Sequence, residues 1–140
     1  TAITLKTPQP SHNYRFDGLR ILLAEDNELN QQVAMELLRA VGADVSIAGN
    51  GAIALKMAAQ QPYDLILMDM QMPVMDGIAA TVAIRQLPGM GQLPIIAMTA
   101  NAMAADCERC LASGMNDYIS KPIMLDDLWV VLGRWLPSKD

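Results

Sequence analysis

The stretch Asp64-Leu65-Ile66-Leu67-Met68-Asp69-Met70-Gln71-Met72-Pro73 constrains this chain more than any other. An apolar run ends on a single carboxylate, and a proline soon follows. A run this short, with turn residues on both sides, predicts a strand buried on both faces. Asp69 then stands at the strand's carboxyl end. In open α/β sheets that edge is where ligands and chemistry sit.

The rest of the chain supplies partners for that strand. Arg20-Ile21-Leu22-Leu23-Ala24 predicts a first strand, with Glu25-Asp26-Asn27 at its carboxyl end. Leu29, Val33, Leu37 and Leu38 then recur at helical spacing up to Val41. Asn27 is suited to cap that helix and Gly42 to stop it. Asp44-Val45-Ser46-Ile47-Ala48 alternates, as a more exposed strand does. Asn50-Gly51 marks a turn, and residues 52–60 read as a second helix ended by Pro62. After the central strand, helices are predicted over 78–87, 103–113 and 125–135. Strands are predicted over 94–99 and 117–120. Leu128, Val131, Leu132 and Trp135 share one face of the last helix. Five strands therefore alternate with five helices. Each crossover is long enough for a right-handed βαβ unit, so the fold class is α/β, a parallel sheet with helices on both faces.

The chain has 140 residues, which suits one domain. Residues 1–17 hold Pro8, Pro10 and several polar residues without a period, as a linker or tail does. The domain is expected over 18–137. The net charge of −5, with no run of Lys and Arg, argues against nucleic-acid binding by this domain. No apolar run approaches the length of a membrane span, and no signal peptide is visible. Cys107 and Cys110 form a Cys-x-x-Cys, but the sole histidine, His12, lies far away in the tail. Two ordinary thiols in a reducing cytosol are the simpler reading.

Four of the five strands end in polar residues that do not suit a core. The first delivers Glu25 and Asp26, the third Asp69, the fourth Thr99 and the fifth Lys121. In a parallel sheet these ends share one edge, so residues far apart in sequence converge. Three crowded carboxylates repel one another. A divalent cation relieves this, and oxygen ligands suit Mg²⁺. Lys121 supplies a point charge for an anion, and Thr99 a hydroxyl for the same anion. Together these groups suit phosphoryl transfer to Asp69 as a nucleophile.

With those residues on the page, the chain resembles a response-regulator receiver domain of two-component signalling. The resemblance covers about Leu19 to Leu136. It rests on Glu25-Asp26-Asn27, Asp69 with Met72-Pro73 and Met75-Asp76-Gly77, Thr99-Ala100, and Tyr118 with Lys121-Pro122. It implies a flavodoxin-like, doubly wound (βα)5 fold with strand order 2-1-3-4-5. It also implies that Asp69 is the phosphoacceptor. Glu25, Asp26, Asp69 and the backbone carbonyl of Gln71 would hold Mg²⁺. Lys121 would contact the phosphoryl oxygens, through a Lys121-Pro122 bond that is often cis in the family. Thr99 would swing toward the phosphoryl group, with Ala100 leaving room for it. Tyr118 would rotate inward behind Thr99. Gln71 and Asn101 would tune how long the acyl phosphate lasts.

The implied donor is a phosphohistidine on a histidine kinase domain, and the implied acceptor beyond Asp69 is a histidine phosphotransfer domain. The Gln71-Met72-Pro73-Val74-Met75-Asp76-Gly77 wording and the lack of an output domain resemble the receiver of a hybrid sensor kinase. The domain itself would be cytoplasmic and make no membrane contact, while the parent transferase could be anchored in an inner membrane. A stand-alone response regulator is the second reading. A hydrolase that forms an aspartyl phosphate fits less well, because Gln71 stands where a general acid is needed. A nucleotide-binding fold lacks its Gly-rich turn after the first strand.

Overall fold

The computed structural model describes residues 17–100 and 104–136. Strands and helices alternate as β1 (Arg20–Ala24), α1 (Glu28–Ala40), β2 (Asp44–Ala48), α2 (Gly51–Gln60), β3 (Leu65–Asp69), α3 (Gly77–Arg85), β4 (Ile95–Thr99), α4 (Ala104–Ser113), β5 (Asp117–Ser120) and α5 (Leu125–Trp135). The expected linker, with His12, lies outside the described residues apart from Asp17. So do Asn101 and Met103, where the fourth helix was expected to begin.

The strands form one parallel sheet in the order β2-β1-β3-β4-β5. β3 lies at its centre, and every residue from Leu65 to Asp69 is buried. Side chains on a strand alternate between faces, and the core divides accordingly. Ile21, Leu23, Leu65, Leu67, Ile96 and Met98 pack with Leu38 of α1 and Leu128 and Leu132 of α5. Leu22, Ile66, Met68, Ile95 and Ala97 pack with Ala54 of α2, Ala80 and Ile84 of α3, and Cys110 of α4. Each fully buried Leu or Ile contributes about 1.5–3 kcal/mol. Two packed faces explain why β3 reads as an unbroken apolar run.

Three helices start at the carboxyl edge of the sheet with a side-chain cap. Asn27 Oδ1 accepts from Asn30 N at 3.0 Å, Asn50 Oδ1 from Ile53 N at 2.9 Å, and Asp76 Oδ1 from Ala79 N at 2.8 Å. Each cap contributes about 1 kcal/mol. At the opposite edge α5 is tied to β5. Arg134 Nη1 and Trp135 Nε1 donate to Asp117 Oδ2 at 2.5 and 2.9 Å. Burial works against the Asp117 carboxylate, yet these bonds and the Tyr118 N–H hold its pKa below the ordinary value. Trp129 is buried against the sheet.

The apolar repeat in α1 does not all face the core. Ala34 and Leu38 are buried, whereas Leu29 and Val33 are 68% and 43% exposed. At 3.6 residues per turn they sit roughly 100–140° around the helix from Ala34. The repeat is therefore two faces, one packed and one turned to solvent.

The loop after β3 holds a strained residue. Met75 N donates to Pro73 O at 2.7 Å, closing a γ-turn with Val74 at φ 70°. A β-branched residue rarely adopts that conformation, and it costs about 1–2 kcal/mol. Val74 is 83% exposed, so its side chain recovers little by packing. Glycine removes the clash but gives up about 0.4–1 kcal/mol of unfolded-state restriction. We expect Val74→Gly to raise the unfolding free energy by about 0.5–1 kcal/mol in urea titrations. A destabilised Val74→Gly protein would show that the loop is not strained at this position.

Candidate functional site

Asp69 closes β3 at only 4% exposure. A carboxylate in such a place needs a partner. Lys121, directly after β5, provides one. Its ammonium nitrogen lies 3.0 Å from Asp69 Oδ2 and 3.1 Å from Glu25 Oε1. Lys121 N also donates to Thr99 O at 2.8 Å, which fixes the backbone there. Glu25, 2% exposed, accepts the Asn27 N–H through Oε2 at 3.1 Å. Its carbonyl accepts from Gln31 Nε2 at 2.6 Å. Asp69 Oδ1 accepts the Gln71 N–H at 3.2 Å. Burial pulls the Lys121 pKa down, but the bonds and charges of Asp69 and Glu25 outweigh it and leave it above 10.5.

The sheet register accounts for the convergence. Ala24 pairs with Met68, so Glu25 and Asp69 follow side by side. Asp69 pairs with Met98, and Thr99 with Ser120. Thr99 is buried next to the site. Tyr118 pairs with Ala97, which puts it on the same face as Thr99 by the two-residue period. Its ring is partly exposed, and its hydroxyl bonds to Cys107 of α4, which raises the Tyr118 pKa. Both cysteines are buried and are not joined in a disulfide, and Cys110 Sγ lies 3.2 Å from Met70 Sδ.

These groups line an open cavity of about 760 Å³. Glu25, Asp26, Asp69, Gln71, Thr99, Ala100 and Lys121 all border it. Among the described residues expected at the site, Tyr118 alone does not. Glu25, Asp26 and Asp69 each offer a carboxylate oxygen, all within 4.8 Å of one another. Among the described residues no other such group of His, Cys, Asp or Glu could hold a metal. An all-oxygen set open to water fits a small hard cation.

Several neighbours escaped the sequence reading. Asp76 borders the cavity besides capping α3. Arg109, exposed on α4, brings a second cation to the rim. Two glycines shape the loop after Asp69. A Cβ on Gly77 would collide with the Asp69 carbonyl, and one on Gly51 with the Met75 carbonyl. Gly77 N and Gly51 N bond to Met70 O at 3.1 Å and Met75 O at 2.9 Å. The Met-Asp-Gly wording contained that signal for Gly77, while nothing local marked Arg109.

The profile of the response regulator receiver domain matches residues 21–132. The chain belongs to this receiver-domain family. Hybrid signal transduction histidine kinase G of Dictyostelium discoideum is 43% identical over 122 residues, covering 85% of this chain and 4% of that protein. The first curated relatives are all far longer, and the chain spans 17% or less of their lengths. The receiver domain of sensor histidine kinase PA1611 from Pseudomonas aeruginosa, solved with a magnesium ion in its active site cleft, is 47% identical. It has a TM-score of 0.79, with 84% of this chain and 97% of that one covered. The receiver domain of Saccharomyces cerevisiae Ssk1, crystallised with the histidine phosphotransfer protein Ypd1, is 32% identical. Its TM-score is 0.77, with 86% and 90% covered. No helix among the described residues of this receiver domain is long and apolar enough to cross a membrane.

The raised Lys121 pKa links stability of the receiver domain to alkaline pH. A native pKa above 10.5 means the ion pairs contribute fully below the unfolded value and are lost as pH rises through the native one. We expect wild-type unfolding free energy to fall from about pH 10 upward more steeply than that of Lys121→Met. Equal alkaline slopes for the two proteins in urea titrations would exclude Lys121 as the group responsible.

Proposed function

We propose that Asp69 takes a phosphoryl group from a phosphohistidine and passes it to a histidine on a phosphotransfer domain. The domain would do so as part of a hybrid sensor kinase. The observation that carries this reading is the Lys121 ammonium held between Asp69 and Glu25 at 3.0 and 3.1 Å, at the floor of an open cavity. An Asp69 oxygen bonds to phosphorus in line as the phosphorus–nitrogen bond breaks. The electron pair stays with the departing imidazole nitrogen, which is protonated from solvent. Lys121 can leave Glu25 and follow charge onto the transferring oxygens, a fixed donor in a partly dry site. Transfer onward to the second histidine is the reverse chemistry.

Glu25, Asp26, Asp69 and the Gln71 carbonyl would hold Mg²⁺, which would neutralise charge on the phosphoryl oxygens. The magnesium in the PA1611 receiver cleft supports this assignment. Gln71, an amide, offers no acid to speed hydrolysis, which favours relay over an enzyme that cleaves the acyl phosphate. Thr99 would then turn its hydroxyl toward the new charge. Tyr118 would leave Cys107 and follow inward over Ala97, whose methyl leaves space for the ring. That movement re-forms the surface of α4, β5 and α5, a packing change biased by one local charge.

The exposed face of α1 supplies a place for the partner. Leu29, Val33 and Ala34 border an apolar groove of about 180 Å³ with Pro122 and Ile123, and Glu25 and Lys121 close its inner end. Glu25 and Lys121 border both this groove and the cavity that holds Asp69, so a partner lying there is next to the site. The pairing of a similar receiver with Ypd1 supports a phosphotransfer domain as the occupant.

With acetyl phosphate and Mg²⁺, we expect wild-type protein to take up acid-labile phosphate at one site and Asp69→Asn to take up none. Labelling of Asp69→Asn at the wild-type rate would overturn the reading. Val33→Glu puts a charge into the groove. We expect it to slow transfer to a phosphotransfer domain at least about tenfold, as a buried unpaired charge does at an interface. Acetyl phosphate labelling should not change. Equal slowing of both reactions would place Val33 in the site rather than at a docking surface.

A further inference from the structure

The functional reading depends on where Lys121 stands, and β5 determines that. β5 is a four-residue edge strand that pairs with β4 alone. A strand so short has only four ladder pairs and one buried side chain, Ile119, to hold its register, so the bonds at its two ends add to it. Its exit is fixed by the Lys121 N–H on Thr99 O. Its start is fixed by Asn116. Asn116 N donates to Ile95 O at 2.8 Å, and Asn116 Oδ1 accepts the Ile95 N–H at 2.8 Å. A slip of one residue would turn Tyr118 and Ile119 to opposite faces. It would also carry Lys121 about 3.3 Å along the strand, which would break both of its ion pairs.

Asn116 is itself held by a residue of another element. Arg85, the last residue of α3, donates from Nη2 to Asn116 Oδ1 at 2.8 Å. The same guanidinium reaches Gly114 O from Nε at 3.0 Å and from Nη2 at 2.7 Å. Its Nη1 donates to Met90 O at 2.7 Å. One planar fork thus ties the turn into β5 to the loop before β4. The stem needs Gly114 to pass. A Cβ there would lie 3.1 Å from Arg85 Cγ, and Gly114 has φ 112°. Half-burial lowers the Arg85 pKa, but a guanidinium keeps its charge in proteins. Lysine cannot reproduce such a fork.

We propose that Arg85 is a positioning residue for phosphoryl transfer. By clamping Asn116 against Ile95 it sets the β4–β5 register, and with it the place of Lys121 about 16 Å away along the strand. This rests on the role given above to Lys121. Small misplacements of such a group lower rates and affinities strongly, by as much as about a hundredfold for 1 Å.

The test is a double-mutant cycle on beryllofluoride affinity in saturating Mg²⁺. It uses wild type, Arg85→Gln, Lys121→Ala and the pair. We expect Arg85→Gln to weaken beryllofluoride about tenfold in the wild-type background and less than about twofold in Lys121→Ala. An unchanged affinity in Arg85→Gln, or an equal loss in both backgrounds, would overturn the proposal. An equal loss is the outcome of a clamp that only holds the fold together. If Lys121→Ala alone binds beryllofluoride as wild type does, the role of Lys121 fails first and this proposal falls with it. Should Arg85→Gln not fold, Asn116→Ala replaces it in the cycle with the same outcomes.

Discussion

Lys121 stands between two buried carboxylates, and most of the domain serves to keep it there. Asp69 and Glu25 lie on neighbouring strands in the least solvated part of the carboxyl edge. Left alone they would repel each other and resist burial. The ammonium at 3.0 and 3.1 Å offsets both effects. It arrives from the far side of β4, across a short edge strand. The strand order therefore matters as much as the residue types. With β3 at the centre, β1 and β4 each deliver a group to Asp69 from opposite sides, and the carboxyl edge becomes one site.

Much of this was legible in the sequence because strand ends carry their own mark. A polar residue closing an apolar run stands out, and Glu25, Asp26, Asp69 and Thr99 were each found that way. Lys121 was found the same way, just past the fifth strand, with Pro122 after it. The partial exposure of β2 and the helix ends at Asn27 and Gly42 also followed from local rules. What stayed hidden depends on distance through space. Leu29 and Val33 shared a helical period with Leu37 and Leu38, yet both are exposed. Spacing shows that a helix has an apolar stripe and not how wide a stripe the sheet will cover. Gly77 and Gly51 are glycine because a carbonyl passes close by. That carbonyl belongs to Asp69 in one case and Met75 in the other. Arg85 and Asn116 are 31 residues apart, and no local pattern links them.

The site also shows where stability has been given up. Two carboxylates are buried, and Val74 sits in a left-handed turn with its side chain in solvent. Neither arrangement helps the chain fold. Both lie within a few residues of Asp69 in space or in sequence, while the strands below them are packed without polar groups. This is the pattern of a rigid support carrying a locally unfavourable top.

The two faces of the sheet are filled differently, and that has a consequence for how the chain can vary. α2 and α3 meet the sheet through Ala54, Ala58 and Ala80, with Ile84 the large exception. α5 meets it through Leu128, Trp129, Val131 and Leu132. Small residues let a helix axis come close, so one added methyl has nowhere to go. Large residues leave a void when trimmed. Drift in sequence is thus bounded from above on one side of the sheet and from below on the other. The side bounded from above carries the loop that follows Asp69.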